Sequence, residues 1–190
     1  MNILGHKLGP MVFQFPFFDR WKFSKQMDFL AVLAVFLEKL PVERRFAVEI
    51  RNKNWLDARL ADLLREYKIA LVLQDLSHMP GPVELSEKFD PITADWTYIR
   101  WLGDRKAIEK QTTTWNKTVV DRTTELSSWV DYCYQIRKRG VLIYGYANNP
   151  HYAGHAPAAI EQFQNLWRAK GFPELAKPLR SRGEDLLFPV

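Results

Sequence analysis

Five short apolar runs, at residues 11–15, 46–50, 69–73, 96–100 and 141–145, constrain the fold most. Each is only five residues long, and most are apolar at both odd and even positions. A strand that can bury both of its faces belongs in a parallel sheet covered by helices.

Helical spacing fills most of the gaps between these runs. The first helix is expected over 24–40, with Ser24 as N-cap and Phe29, Leu30, Leu33, Phe36, Leu37 and Leu40 on its apolar stripe. A second is expected over 56–67, a third over 124–139 and a fourth over 157–170. The third ends in three basic residues and Gly140. The fourth has Pro157 in its first turn and Gly171 just past its end, the expected helix punctuation. Residues 76–95 contain Pro80, Gly81, Pro82 and Pro91, so a loop or one short helix is expected there. Repeated strand–helix units imply parallel strands joined by right-handed crossovers, an α/β fold.

Composition narrows the class. Of 190 residues, 47% are hydrophobic and 26% charged, enough for a packed core. The length suits one domain. The longest apolar run, 29–37, is too short to span a bilayer, and no membrane partner is expected. The single cysteine, Cys133, rules out an internal disulfide and a cysteine zinc site, which fits a reducing, cytoplasmic compartment. A net charge of +5 favours anionic partners, phosphates or nucleic acid among them, although the basic residues are spread along the chain.

Side chains two apart in a strand share a face. That arithmetic aligns Gln14 with Val12, Glu49 and Arg51 with Ala47, Asp75 with Leu71 and Leu73, Arg100 with Trp96 and Tyr98, and Asn148 with Tyr144 and Tyr146. Each strand then offers one face that turns polar towards its C-terminal end, where parallel α/β folds bind ligands. Burying such charges unpaired costs several kcal/mol each, so they must pair or serve a site. Glu49 and Asp75 are the candidate catalytic carboxylates. Gln14, Arg51, Trp55, Arg100, Tyr146, Asn148 and Asn149 are the candidate ligand-binding residues. The other reading is a set of ion pairs, Glu49 with Arg51 and Asp75 with Arg100, closing the mouth of the sheet.

Four chemistries are weighed for these residues. Arg51, Arg100, Asn148 and Asn149 suit a phosphate or other anion, because guanidinium forks match phosphate oxygens. Glu49 and Asp75 suit acid–base work, although nearby arginines depress carboxylate pKa values and disfavour a general acid. No metal site is assigned: His78, His151 and His155 fall on loops after strands rather than on strand ends, and a divalent metal stays open. Stacking on a base or sugar is open to Trp55, Tyr146 and Tyr152. Neither a glycine-rich phosphate loop nor a nucleophile elbow is present, and no cofactor is expected.

The order and spacing of these stretches resemble the YecE-like family, domain of unknown function 72. The matching segments include Arg45-Phe-Ala-Val-Glu-Ile-Arg51, Ala70-Leu-Val-Leu-Gln-Asp75, Thr93-Ala-Asp-Trp-Thr-Tyr-Ile-Arg100 with Gly103, and Gly154-His-Ala-Pro157, within 8–168. The resemblance implies a TIM-type (β/α) barrel with a polar pocket at the C-terminal ends of its strands, and no established activity.

Two departures accompany the resemblance. Family members begin with about three further strand–helix units, so this chain reads as strands four to eight of an incomplete barrel, against about 250 residues for a whole one. The segment 104–121 is polar and basic here, so no role is carried over to it. The expected organisation is a partial barrel over 1–171 and a tail over 172–190 packing on it. Edge strands at 11–15 and 141–145 would invite an oligomer, or a missing N-terminal part that completes the barrel. Two classes of function follow: an enzyme, a hydrolase among the options, acting on a phosphate-bearing substrate, or a non-catalytic binder of a ligand or nucleic acid. An inactive fragment is the third outcome.

Overall fold

The computed structural model describes residues 8–149 and 151–175. Five strands, β1 (Met11–Gln14), β2 (Phe46–Glu49), β3 (Ala70–Leu76), β4 (Trp96–Gly103) and β5 (Leu142–Ala147), form one sheet in the order β1-β2-β3-β4-β5. Every neighbouring pair is parallel. The helices are α1 (Gln26–Leu37), α2 (Ala58–Glu66), α3 (Pro82–Ser86), α4 (Arg105–Glu109), α5 (Thr123–Lys138) and α6 (Ala156–Ala169).

All five expected strands and all four expected long helices form. The proline-rich stretch after β3 holds one short helix, α3, and the polar segment after β4 opens with another, α4. Helix punctuation is close to expectation. Gly140 and Gly171 follow α5 and α6 with φ of 81° and 69°, the left-handed backbone that ends helices. Ser24 is not the N-cap of α1. Lys25 holds that place, and the Ser24 hydroxyl instead donates to Asp28 Oδ2, which also accepts from the Lys25 amide.

The two faces of the sheet are covered differently. Phe46, Val48, Ile50, Leu71, Leu73, Ile99 and Trp101 pack with the buried stripes of the helices: Phe29 and Leu33 of α1, Leu60 and Leu64 of α2, Trp129 and Cys133 of α5, and Phe163 and Trp167 of α6. Ala47, Ala70, Val72 and Trp96 form a separate cluster, flanked by Val12 of β1, Tyr98 of β4 and Tyr144 of β5. Among the described residues, helices therefore lie on one face, and the other face is lined by strand side chains.

That second face is concave. The Arg45 guanidinium donates to the Tyr144 hydroxyl at 2.6 Å, and Arg100 Nη1 donates to Gln14 Oε1 at 2.9 Å. Both pairs span three strand spacings, about 14 Å in a flat sheet. Side chains standing perpendicular to a flat sheet would not meet over that distance, so the sheet curls towards them. Sequential parallel strands with helices outside and strand side chains within are consistent with a TIM-like arrangement.

One strand phase differs from expectation. Gln74 is the register partner of Arg100 and Asp75 that of Trp101, so Gln74 faces the concave side and Asp75 the helices. Leu71 and Leu73 likewise join the helix-side core, while Ala70 and Val72 line the concavity. Both faces of β3 are apolar along most of its length, and nothing in a period of two says which one turns inward.

Candidate functional site at the C-terminal rim

Gln14 and Glu49 are register partners at the ends of β1 and β2. Arg51 follows β2, and Arg100 lies on β4. Curvature brings these four together. Glu49 is 0% exposed. Arg100 Nη1 lies 2.5 Å from its Oε2, and the Arg51 guanidinium contacts its Oε1. The two arginine side chains keep 17% and 28% exposure. A buried carboxylate thus holds two guanidiniums that still reach solvent, with a net charge of +1 for the three groups. Burial is the main influence lowering Arg51 from its ordinary value; Glu49 opposes it and Arg100 adds to it. Arginine remains cationic under such shifts.

Aromatic rings border this cluster. Tyr146 is the register partner of Arg100 and shares its face. Tyr98, two residues before Arg100, stacks on Tyr146 with ring centroids 5.0 Å apart and an interplanar angle of 17°. Burial raises the Tyr98 hydroxyl above its ordinary value, helped by Tyr146 and opposed by Arg100. Gln74 donates to the Ile50 carbonyl, and its buried Oε1 has no donor among the described residues.

Asp75 lies across the sheet from Glu49. Its Oδ2 accepts from Trp129 Nε1 at 2.9 Å and from the Tyr152 hydroxyl at 3.2 Å. Burial raises its carboxyl above the usual range, against the lowering pull of Trp129, Arg122 and Tyr152. Glu49 and Asp75 therefore do not form a carboxylate pair, and Asp75 makes no ion pair with Arg100. Tyr152 is buried beneath the Arg122 guanidinium and cannot serve as an open stacking platform.

The remaining candidates take other places. Trp55 stacks on Phe29 at 5.1 Å within an aromatic group that includes Phe18 and Phe23, so it belongs to the helix side. The Asn148 amide donates to the Trp101 carbonyl and continues the β4–β5 ladder. Asn149 Oδ1 accepts from the Ala156 amide and caps α6. Among the described residues no group of three or more His, Cys, Asp or Glu is placed to hold a metal ion, and His6 lies outside them. Cys133 is buried, its thiol pushed up to about 12 by desolvation. A cavity of about 800 Å³ lies between β5 and α6, lined by Gly145, Tyr146, Ala147, Ile160 and Arg168 among others.

Sequence arithmetic found Gln14, Glu49, Arg51 and Arg100. It missed Gln74 because of the β3 phase. It also missed the contact of Tyr98 with Tyr146, although the register of two neighbouring strands carries it.

The fold and the rim cluster define a parallel α/β protein whose helices clothe one face of a curved sheet. A family model described as "Protein of unknown function DUF72" matches residues 1–182, and the chain belongs to that family. Two solved structures share the fold. A DUF72 family protein from Thermotoga maritima is 22% identical with a TM-score of 0.58, covering 88% of this chain and 59% of that one. A DUF72 family protein from Enterococcus faecalis is 16% identical with a TM-score of 0.57, covering 87% and 61%. The chain thus spans about three fifths of the length of these two. A search of curated proteins finds no match. No described helix is long and apolar enough to cross a membrane.

Proposed function

We propose that this chain binds an anionic, phosphate-bearing ligand at the C-terminal rim of its concave face. Arg51 and Arg100 supply the donors, with Gln14 beside them and Glu49 as their anchor. The observation that carries this reading is the fully buried Glu49 with one guanidinium at each oxygen. A guanidinium already oriented by a buried carboxylate loses little freedom when it meets an anion. The same geometry disfavours Glu49 as a general base, because each of its oxygens is in ion-pair contact with a guanidinium. Binding is therefore supported better than a two-carboxylate hydrolase. Asn148 and Asn149 lie one loop away and would border the ligand only through that loop.

Titration calorimetry with inorganic phosphate and glycerol phosphate tests the reading. Saturable binding should weaken about tenfold in Arg51→Lys and Arg100→Lys, which keep the charge and lose the fork. Absence of saturable heat from both ligands would sink the proposal. Tighter binding of duplex DNA with a steep salt dependence would favour the nucleic-acid alternative.

The same proposal extends to architecture. β1 and β5 are the sheet edges, and the two solved relatives are longer than this chain. These facts support reading it as strands four to eight of a TIM-type barrel over 1–171, with a tail over 172–190, of which 176–190 lie outside the described residues. A second copy, or further strand–helix units, would complete the ring. Within the described tail, Trp167 Nε1 donates to the Pro173 carbonyl and Phe172 stacks on Tyr134. The single buried cysteine fits a cytoplasmic setting.

A further inference from the structure

We infer that the ligand carries a planar ring beside its anionic group, and that Tyr146 is the platform for that ring; this rests on the anion-binding reading above. Arg100 and Tyr146 are register partners on adjacent parallel strands, so their side chains leave the same face at the same height. An anion on Arg100 therefore places the rest of its molecule next to Tyr146.

The ring of Tyr146 is braced and open at once. Tyr98 stacks against it at 5.0 Å, yet Tyr146 is 51% exposed. An aromatic side chain that exposed on a strand usually leans on solvated neighbours. Here it is held parallel to a second ring, which fixes its plane before any ligand arrives and lowers the ordering cost of stacking. Among the described residues the other strongly exposed aromatics, Phe17 and Trp21, lie in the irregular link between β1 and α1 and have no comparable ring-and-arginine setting.

Among the described residues the helices, α6 included, pack on the opposite face of the sheet, so none of them covers the open side of Tyr146. The chemical class is a phosphate monoester bearing an aromatic ring, whether a nucleoside monophosphate or a simpler aryl phosphate.

Calorimetry with four probes, namely inorganic phosphate, ribose 5-phosphate, AMP and phenyl phosphate, separates the possibilities. AMP and phenyl phosphate should bind wild type about tenfold more tightly than ribose 5-phosphate, the scale of one stacking contact. Tyr146→Ala should reduce that ratio to within about twofold, and Tyr146→Phe should preserve it. Equal affinities for ring-bearing and ringless phosphates, or a ratio unmoved in Tyr146→Ala, would overturn the ring inference and leave the anion reading standing. Failure of all four probes would overturn both. AMP binding alone, without phenyl phosphate, would confine the platform to nucleotides.

Discussion

Arg100 on β4 and Glu49 on β2 meet at 2.5 Å although β3 separates their strands. The contact exists because the sheet is curved, and it ties the curvature to an electrostatic requirement. Glu49 is fully buried, and a lone carboxylate in that position would lose several kcal/mol of solvation.

Glu49→Gln should therefore destabilise the fold by about 3–5 kcal/mol, the cost of leaving a buried ion cluster uncompensated. Here the uncompensated groups are the two guanidiniums. Urea denaturation of Glu49→Gln, Arg100→Gln and the double variant measures this. The double variant should lose less than the sum of the two singles. Strict additivity would show that the two groups do not act on each other.

Gly103 ends β4 with φ of 69° and abuts the β5–α6 loop: a Cβ there would lie 2.4 Å from the His151 carbonyl oxygen and 2.7 Å from Tyr152 Cα. Gly140 has a similar φ of 81° with open space around it. Both alanine variants incur the left-handed backbone penalty of about 1–2 kcal/mol. Gly103→Ala must also displace the loop that carries Tyr152. Its melting temperature should fall clearly below that of Gly140→Ala, and equal values would mean that the loop yields freely.

How much of this was legible in the sequence depends on how local the signal is. The strands and the four long helices were legible because a run of five apolar residues or a stripe such as Leu126, Trp129, Val130, Cys133 and Ile136 is a local pattern. The partners Gln14, Glu49 and Arg51 were legible because polar residues at the ends of short strands break an apolar run. The phase of β3 was not, since Ala70 and Val72 are as apolar as Leu71 and Leu73. The register shift between Asp75 and Leu76 adds a further irregularity at the strand's end. Contacts such as Arg45 with Tyr144, ninety-nine residues apart, depend on curvature that no local pattern encodes.

Thr93 closes the start of β3 from outside the strand. Its hydroxyl donates to the Ile69 carbonyl at 2.6 Å and accepts from the Leu71 amide at 2.8 Å, both buried. Thr93→Val keeps the shape and removes both bonds, leaving a buried amide and carbonyl without partners. Stability should fall by about 1–3 kcal/mol, while Thr93→Ser should retain most of it. A valine variant as stable as wild type in urea would mean that water or a local shift replaces the hydroxyl.

Asp75 gives the fold a pH dependence whose sign follows from its surroundings. Burial is the largest influence and raises its carboxyl above 3.8, so folding disfavours the charged form. The contribution of Asp75 to stability is therefore greatest below pH 3.8 and is lost as the pH rises through its folded value. Arg122, Trp129 and Tyr152 limit that loss, and Glu125 adds to it. Asp75→Asn removes the titration, and its carbonyl oxygen can still accept from Trp129 Nε1. The stability of the variant relative to wild type should therefore increase from acid to neutral pH. Denaturant midpoints for both proteins, measured from pH 3 to 7, check this. A difference that stays flat, or one that moves towards wild type as the pH rises, would show that the Trp129, Tyr152 and Arg122 contacts outweigh burial and that Asp75 is stabilised as a carboxylate.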